Sequence, residues 1–329
     1  MSTETAGGER ESRRSGPLVE LTRWMENLSD TTYAYLLLSP VFLLLGTIAI
    51  YPLLRTFEMS LFAQTFTGLG DFVGFANYVD LFTGNMDRYL PGQPTFLPQS
   101  LSIQGLVTSA LTMTLVFALV SVFFETLIGM GQALILDQDF YGRRWIRAAI
   151  IIPWAVPVVI QGMMFYLMFQ PSIGFLTPPL ADLGLLAPTN TLNDPASATF
   201  VIIVADIWKT SAFMALLILA GLQSIDRGLY DVAKVAGASK WQQFKHITFP
   251  LILPTIAIAV LFRSVAALRV YGIIDIVSSC TVVPSLSCMV VESFFSGFNA
   301  AAGTIAFTTA AIIGVVVMGL ILWQGEDAI

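Results

Sequence analysis

Six stretches of this chain stay apolar for about twenty residues or more, and polar or turn-rich segments separate them. They run roughly over 33–54, 106–136, 145–170, 199–223, 251–275 and 304–324. About twenty apolar residues carry a helix across the hydrocarbon core of a bilayer, so the pattern predicts an all-α membrane protein with six transmembrane helices. The second stretch is longer than a perpendicular crossing needs and is expected to tilt or to project beyond the membrane. Residues 1–30 read as a separate tail, with 31–329 as one membrane domain. The tail opens on MSTETAGGERESRRSG, too polar to bury anything and expected to be disordered. Leu18, Leu21, Trp24, Met25 and Leu28 then recur at helical spacing, as in a helix lying at the interface or packed on the protein's own surface. The first apolar run is long enough to span, so it reads as a transmembrane helix rather than a cleavable signal.

Basic residues orient the spans. Arg10, Arg13, Arg14 and Arg23 precede the first, Arg143, Arg144 and Arg147 follow the second, and Arg227, Lys234, Lys240 and Lys245 sit between the fourth and fifth. The opposite connections carry only Arg55 and Arg88 in 55–105 and none in 171–198 or 276–303. The positive-inside rule then predicts a multi-pass protein of the cell membrane with both termini cytoplasmic. Composition agrees: of 329 residues, 56% are hydrophobic and only 12% charged, and mean hydropathy is +0.77. No basic patch suggests nucleic acid. One His and two Cys offer no His/Cys metal cluster, and the chain lacks the G-x-x-x-x-G-K-[ST] phosphate cradle.

The cytoplasmic stretch 224–250 is unusual because it is polar and basic yet strongly patterned. In LYDVAKVAGASKWQQFKHITFPLILP, residues 229–254, a short helix can end on Gly237, and Ser239 with Gln242 forms a capping-box pattern for a second helix. Pro250 and Pro254 are expected to mark the end of that helix. The spacing resembles the EAA loop of ABC importer permeases: Glu-Ala-Ala, three residues, Gly, nine residues, Ile, one residue, Leu-Pro. Ala233, Gly237, Ile247 and Pro250 match it, while Asp231, Val232 and Phe249 stand where the family has Glu, Ala and Leu. VGFANY at 73–78 resembles the family's Val-Gly-x-x-Asn-Tyr segment, and the third stretch, with Pro153 and Pro157, resembles the maltose-type sugar permeases. IWKTSAFMALLILAGLQSI, LFRSVAALRVYGIIDIV and ESFFSGFNAAAGT look particularly like the first permease subunit of actinobacterial trehalose importers. SSCTVVPSLSC departs from the family, which often has a Thr-Gly-Gly-Pro turn there.

The resemblance implies the type I importer permease fold and a non-catalytic subunit importing a trehalose-like disaccharide. Its partners would be a second homologous permease, two ATPase subunits and an extracytoplasmic sugar-binding lipoprotein. ATP and Mg would lie on the ATPase, and this chain would hold no cofactor or metal. Asp231, Ala233, Gly237, Ala238, Ile247 and Pro250 would couple to that ATPase, with Asp231 near a helix N-terminus where the dipole favours a carboxylate.

Ionisable groups within spans are costly unless paired or hydrated, which singles out Glu125, Asp206, Lys209, Arg263, Arg269 and Asp275. Asp206 and Lys209 are three apart and are expected to pair on one helix face. Trp154, Gln161, Tyr166, Trp208, Lys209, Phe213, Arg269 and Tyr271 could supply aromatic platforms and hydrogen bonds along a sugar pathway. Cys280 and Cys288 share the last outer connection, where an oxidising compartment would permit a disulfide and otherwise two thiols would be buried. Glu125 and Asp206 also fit a secondary, ion-coupled transporter, although that alternative gives the 224–250 loop no task.

Overall fold

The computed structural model describes residues 29–65, 68–88 and 95–326; the tail and its apolar stripe lie outside them. The chain divides into two compact units, Met1–Arg55 and Thr56–Ile329. In the first, helix α1 (Asp30–Leu45) opens on Ser29, whose Oγ accepts the Thr32 N–H at 3.3 Å. Pro40 sits inside α1 and brings no N–H to the Leu36 carbonyl; the Ser39 hydroxyl donates to that carbonyl instead, at 2.7 Å. A π turn, Gly46–Ile50, leads on to α2, Tyr51–Ser60.

In the second unit an antiparallel hairpin, β1 (Phe62–Thr65) and β2 (Gly68–Phe72), follows the end of α2 and leads to α3, Ala76–Thr83. Among the described residues, this hairpin is the one addition to an otherwise helical architecture. The Gln64 amide fastens it by accepting from Ala300 N–H at 3.0 Å and donating to Gly297 O at 3.2 Å. Buried Asn77 donates to the Ser60 and Phe62 carbonyls, both at 2.8 Å.

Short α4 (Ile103–Val107) precedes α5 (Ala110–Asp137). The overlong second stretch is therefore two helices divided at Thr108–Ser109. The third stretch is also divided, into α6 (Arg143–Ala155) and α7 (Val158–Phe169), bent by 93°. Pro157 explains the place of the break. The residue before a proline avoids the helical region, and Val156 is extended at φ −69°, ψ 127°. After α8 (Thr177–Asp182), α9 (Pro195–Gln223) is capped by Asp194, whose carboxylate accepts Ser197 N–H at 2.9 Å.

Then come α10 (Arg227–Val235), α11 (Lys240–Gln243), a π turn (Phe244–Thr248) and α12 (Phe249–Ala267). The last three form one run, Lys240–Ala267. Pro250 and Pro254 therefore do not end the helix, contrary to expectation. The wide turn before them resets the hydrogen-bond register, and Pro250 falls in the first turn of α12, where its missing N–H costs little. The fifth stretch ends instead at Ala267, and α13 (Gly272–Val277) starts afresh. An apolar α14 (Leu286–Phe295) and the long α15 (Asn299–Glu326) complete the unit. Among the described residues, five helices are long and apolar enough to span a membrane, or six with the bent pair counted as one.

Helices α5 and α9 form the central pair of this unit. Gly129 permits their approach: a Cβ there would lie 2.6 Å from the Met214 Cβ. Phe117, Ile202 and Ile274 bring α13 into the central core, while Leu136, Ile218 and Ile252 bring α12 into a second cluster.

Candidate functional site

Three mid-helix charges from α5, α9 and α12 meet in the interior. Arg263 donates through Nε to Glu125 Oε2 at 2.5 Å and through Nη2 to Glu125 Oε1 at 3.0 Å, and Nη2 also contacts Asp206. The Arg263 and Glu125 side chains are 6% and 0% exposed, and Asp206 is 15% exposed. In so dry a place, each charge depends on the others for solvation. The expected Asp206–Lys209 pair is replaced by this grouping. Lys209 Nζ instead donates to Val156 O at 2.7 Å, the carbonyl exposed by the break before Pro157. A cation at that carbonyl also suits the C-terminal end of α6.

Beside this group lies a cavity of about 190 Å³. Gln161, Asp206, Lys209, Thr210, Arg263 and Tyr271 give it its polar wall. Gln161 is pinned by a 2.6 Å bond from Nε2 to Ala205 O.

The 224–250 loop has a different construction. Asp226 caps α10 by accepting Gly228 N–H at 2.9 Å. The helix ends with Gly237 left-handed at φ 81°, its N–H bonded to Lys234 O at 3.0 Å and that of Ala238 to Ala233 O at 2.9 Å. These crossed bonds form a Schellman close, which satisfies two of the last carbonyls. Ser239 and Gln242 form the reciprocal capping box of α11. Asp231 lies in the middle of α10 rather than near its start, paired with Lys234 at 2.9 Å on the exposed face. The expected dipole advantage therefore belongs to Asp226. The preceding turn of sequence is already helical, which the short apolar pattern did not reveal.

Ala233, Gly237, Ala238 and Ile247 line a surface groove of about 310 Å³ between α10 and α11, whereas Pro250 stands beyond it at the start of α12. Arg227 moors the loop to the end of α5 through bonds of 2.9 and 2.6 Å to Asp137. Hydrogen bonding to that carboxylate raises the Arg227 pKa above its ordinary value. Tyr230 Oη and Thr248 Oγ1, 2.9 Å apart, tie α10 to the π turn.

Residues 125–324 match the family described as the binding-protein-dependent transport system inner membrane component. The chain belongs to that family. The permease is 38% identical to the trehalose/maltose transport system permease protein MalF of Thermococcus litoralis over 76% of its own length and 78% of the relative's. It is 36% identical to the sulfoquinovosyl glycerol permease protein SmoG of Agrobacterium fabrum, covering 77% and 75%. It is also 28% identical to the trehalose permease protein SugA of Mycobacterium tuberculosis, covering 86% and 85%. Its fold is similar to a chain of a bacterial ABC transporter that imports the acidic polysaccharide alginate, with TM-score 0.69, 21% identity and coverage of 93% and 99%. The permease thus has the type I importer fold and is a membrane transport component rather than an enzyme. This membership displaces the ion-coupled alternative.

Of the permease's expected pathway residues, Gln161, Lys209 and Tyr271 share the cavity. Trp154 stacks on Phe213 with centroids 6.4 Å apart, and Trp208 packs on Phe165 at 5.8 Å. Tyr166 packs against the central core, while Arg269 is exposed and outside the cavity lining. Cys280 and Cys288 are joined, with Cα atoms 5.5 Å apart, just ahead of and within α14. The grouping of Glu125 and Asp206 around Arg263 was missed because its members lie 138 and 57 residues from the arginine. The usable signal was that Glu125, Asp206 and Asp275 share the spans with Lys209, Arg263 and Arg269, charges that are costly there without partners.

Proposed function

We propose that this permease forms half of the translocation pathway of an ATP-driven sugar importer, with trehalose or a similar disaccharide as cargo. A second homologous permease completes the pathway, and an extracytoplasmic sugar-binding lipoprotein delivers the cargo. Two ATPase subunits, holding ATP and Mg, dock on the α10–α11 loop. The observation that carries this proposal is the loop itself: a left-handed Gly237 and a capping box hold two short helices around a groove outside the spans. Its moorings at Asp137 and Thr248 would pass movement of the loop to α5 and α12.

The clustering of Arg and Lys in the N-terminal tail, beside Arg143 and in this loop supports placing both termini and the loop on the cytoplasmic side. The names of the trehalose/maltose and trehalose relatives support the cargo. Trp154, Gln161, Tyr166, Trp208, Lys209, Phe213, Arg269 and Tyr271 remain the proposed contributors to its route, with Gln161, Lys209 and Tyr271 nearest the charged centre. Reconstitution of the complete assembly tests the proposal: labelled trehalose should accumulate in vesicles only with ATP and the receptor. Accumulation driven by an ion gradient without ATP would reject it.

A further inference from the structure

Helix α6 runs antiparallel along the spanning helix α9. Val156 at its end meets Lys209, Trp154 stacks on Phe213, and Ile150 packs on the cluster of Leu136, Ile218 and Leu222. The opening turn of α6 therefore lies level with the last turns of α5 and α9, at the membrane edge that carries the α10–α11 loop. Arg143, Arg144, Arg147 and Arg227 gather at this edge, and two of them are engaged: Arg227 by Asp137, and Arg143 by Asp139 at 2.8 Å. Arg144 and Arg147 are exposed, one turn apart, and meet no carboxylate among the described residues.

Beyond this pair the outward face of α6 turns apolar. Ala148, Ile152 and Ala155 follow Arg144 at helical spacing, all exposed, with Trp145 beside them 77% exposed. At 1.5 Å per residue, the strip from Arg144 to Ala155 is about 17 Å long, close to one leaflet of a hydrocarbon core about 30 Å thick. Two unengaged cations at the membrane edge, heading an apolar strip one leaflet long, are complementary to an amphiphile with an anionic head. Guanidinium groups grip phosphate through paired N–H donors, alanines let an alkyl chain lie close to the helix, and an indole suits the headgroup level. A soluble anion satisfies the arginines but leaves the strip uncovered, and an apolar helix does the reverse. We propose that this face of α6 binds an anionic phospholipid of the leaflet on the α10–α11 side. Its phosphate sits between Arg144 and Arg147, and an acyl chain runs along Ala148, Ile152 and Ala155. The site follows from the membrane placement of the spans and is independent of the cargo.

Native mass spectrometry of the complete assembly in detergent, titrated with defined lipids, tests the inference. Dioleoyl phosphatidylglycerol should bind more tightly than dioleoyl phosphatidylcholine. The double variant Arg144→Gln/Arg147→Gln should weaken phosphatidylglycerol binding about tenfold and leave phosphatidylcholine unchanged. Arg144→Lys/Arg147→Lys keeps the charge and should retain most of the preference. Glycerophosphoglycerol, the same head without chains, should compete poorly. A wild-type assembly that binds the two lipids alike would overturn the proposal, and this comparison needs no variant to fold. Undiminished phosphatidylglycerol binding by the double glutamine variant would overturn it too, since the lipid would then bind elsewhere and a second protein could cover this face. Full competition by glycerophosphoglycerol or by inorganic phosphate would also overturn it, leaving a site for a free phosphate.

Discussion

Arg263 and Glu125, 138 residues apart in sequence, meet in the membrane interior through two N–H···O bonds of 2.5 and 3.0 Å. The pair joins α12 to α5, and Asp206 adds α9. Removing the cation should leave two poorly solvated carboxylates, so Arg263→Met should destabilise the assembly by about 3–5 kcal/mol. Adding Glu125→Gln and Asp206→Asn should recover part of that loss, because neutral amides need no counter-charge. Thermal unfolding of the purified assembly gives the comparison. Equal stability of wild type and Arg263→Met would show that the three charges do not support one another.

Lys209 should stabilise the 93° break between α6 and α7 through its bond to Val156 O. Lys209→Met keeps most of the apolar stem but loses a charge-assisted hydrogen bond, at a cost of about 1–3 kcal/mol. Hydrogen exchange across residues 150–162 should then accelerate relative to α5. Unchanged protection would mean that Pro157 and packing alone hold the bend.

The Arg227–Asp137 bridge should act on coupling more than on stability. Arg227 is 59% exposed, so Arg227→Ala should cost only about 1 kcal/mol. Loss of the mooring should nevertheless lower transport per ATP hydrolysed. The ratio of uptake to hydrolysis in vesicles measures this, and an unchanged ratio would assign the bridge a local role.

The Cys280–Cys288 bond closes a short loop and should contribute roughly 2–3 kcal/mol to its local stability in the chain-entropy model. Intact-mass analysis after alkylation without reductant should find neither thiol modified. Two alkylated cysteines in protein kept oxidising throughout would contradict the bridge.

Much of the helical order was legible because about twenty apolar residues leave few options in a bilayer. Gly237 and the Ser239–Gln242 pair were legible for a local reason: their hydrogen bonds close within a few residues. Where a span broke was harder to foresee. Pro157 breaks its span, yet Pro254 continues within α12, and their different outcomes depend on the preceding turn and on Lys209 from another helix. The β1–β2 hairpin was hidden because its short strands draw support from Gln64 contacts with residues more than 230 positions away. Asp206 illustrates the same limit. Sequence proximity favours Lys209, but the folded packing brings Arg263 to its carboxylate.

The proposed transmission of ATPase movement through the α10–α11 loop to the spans is most directly tested at Gly237. Gly237→Ala has open space for its Cβ but must hold φ at 81°, a strain of about 1–2 kcal/mol. Gly237→Pro cannot adopt that angle and loses the N–H that bonds Lys234 O, so the Schellman close must rearrange. Asp231→Arg breaks only an exposed pair with Lys234, worth about 0–1 kcal/mol, while reversing charge on the presented face. Trehalose uptake and receptor-stimulated ATP hydrolysis should be measured together in vesicles containing wild-type, Gly237→Pro or Asp231→Arg assemblies. Normal membrane insertion with lost uptake, or hydrolysis detached from uptake, is the predicted result for both variants. Normally coupled transport by both would mean that this loop does not transmit the ATPase's motion.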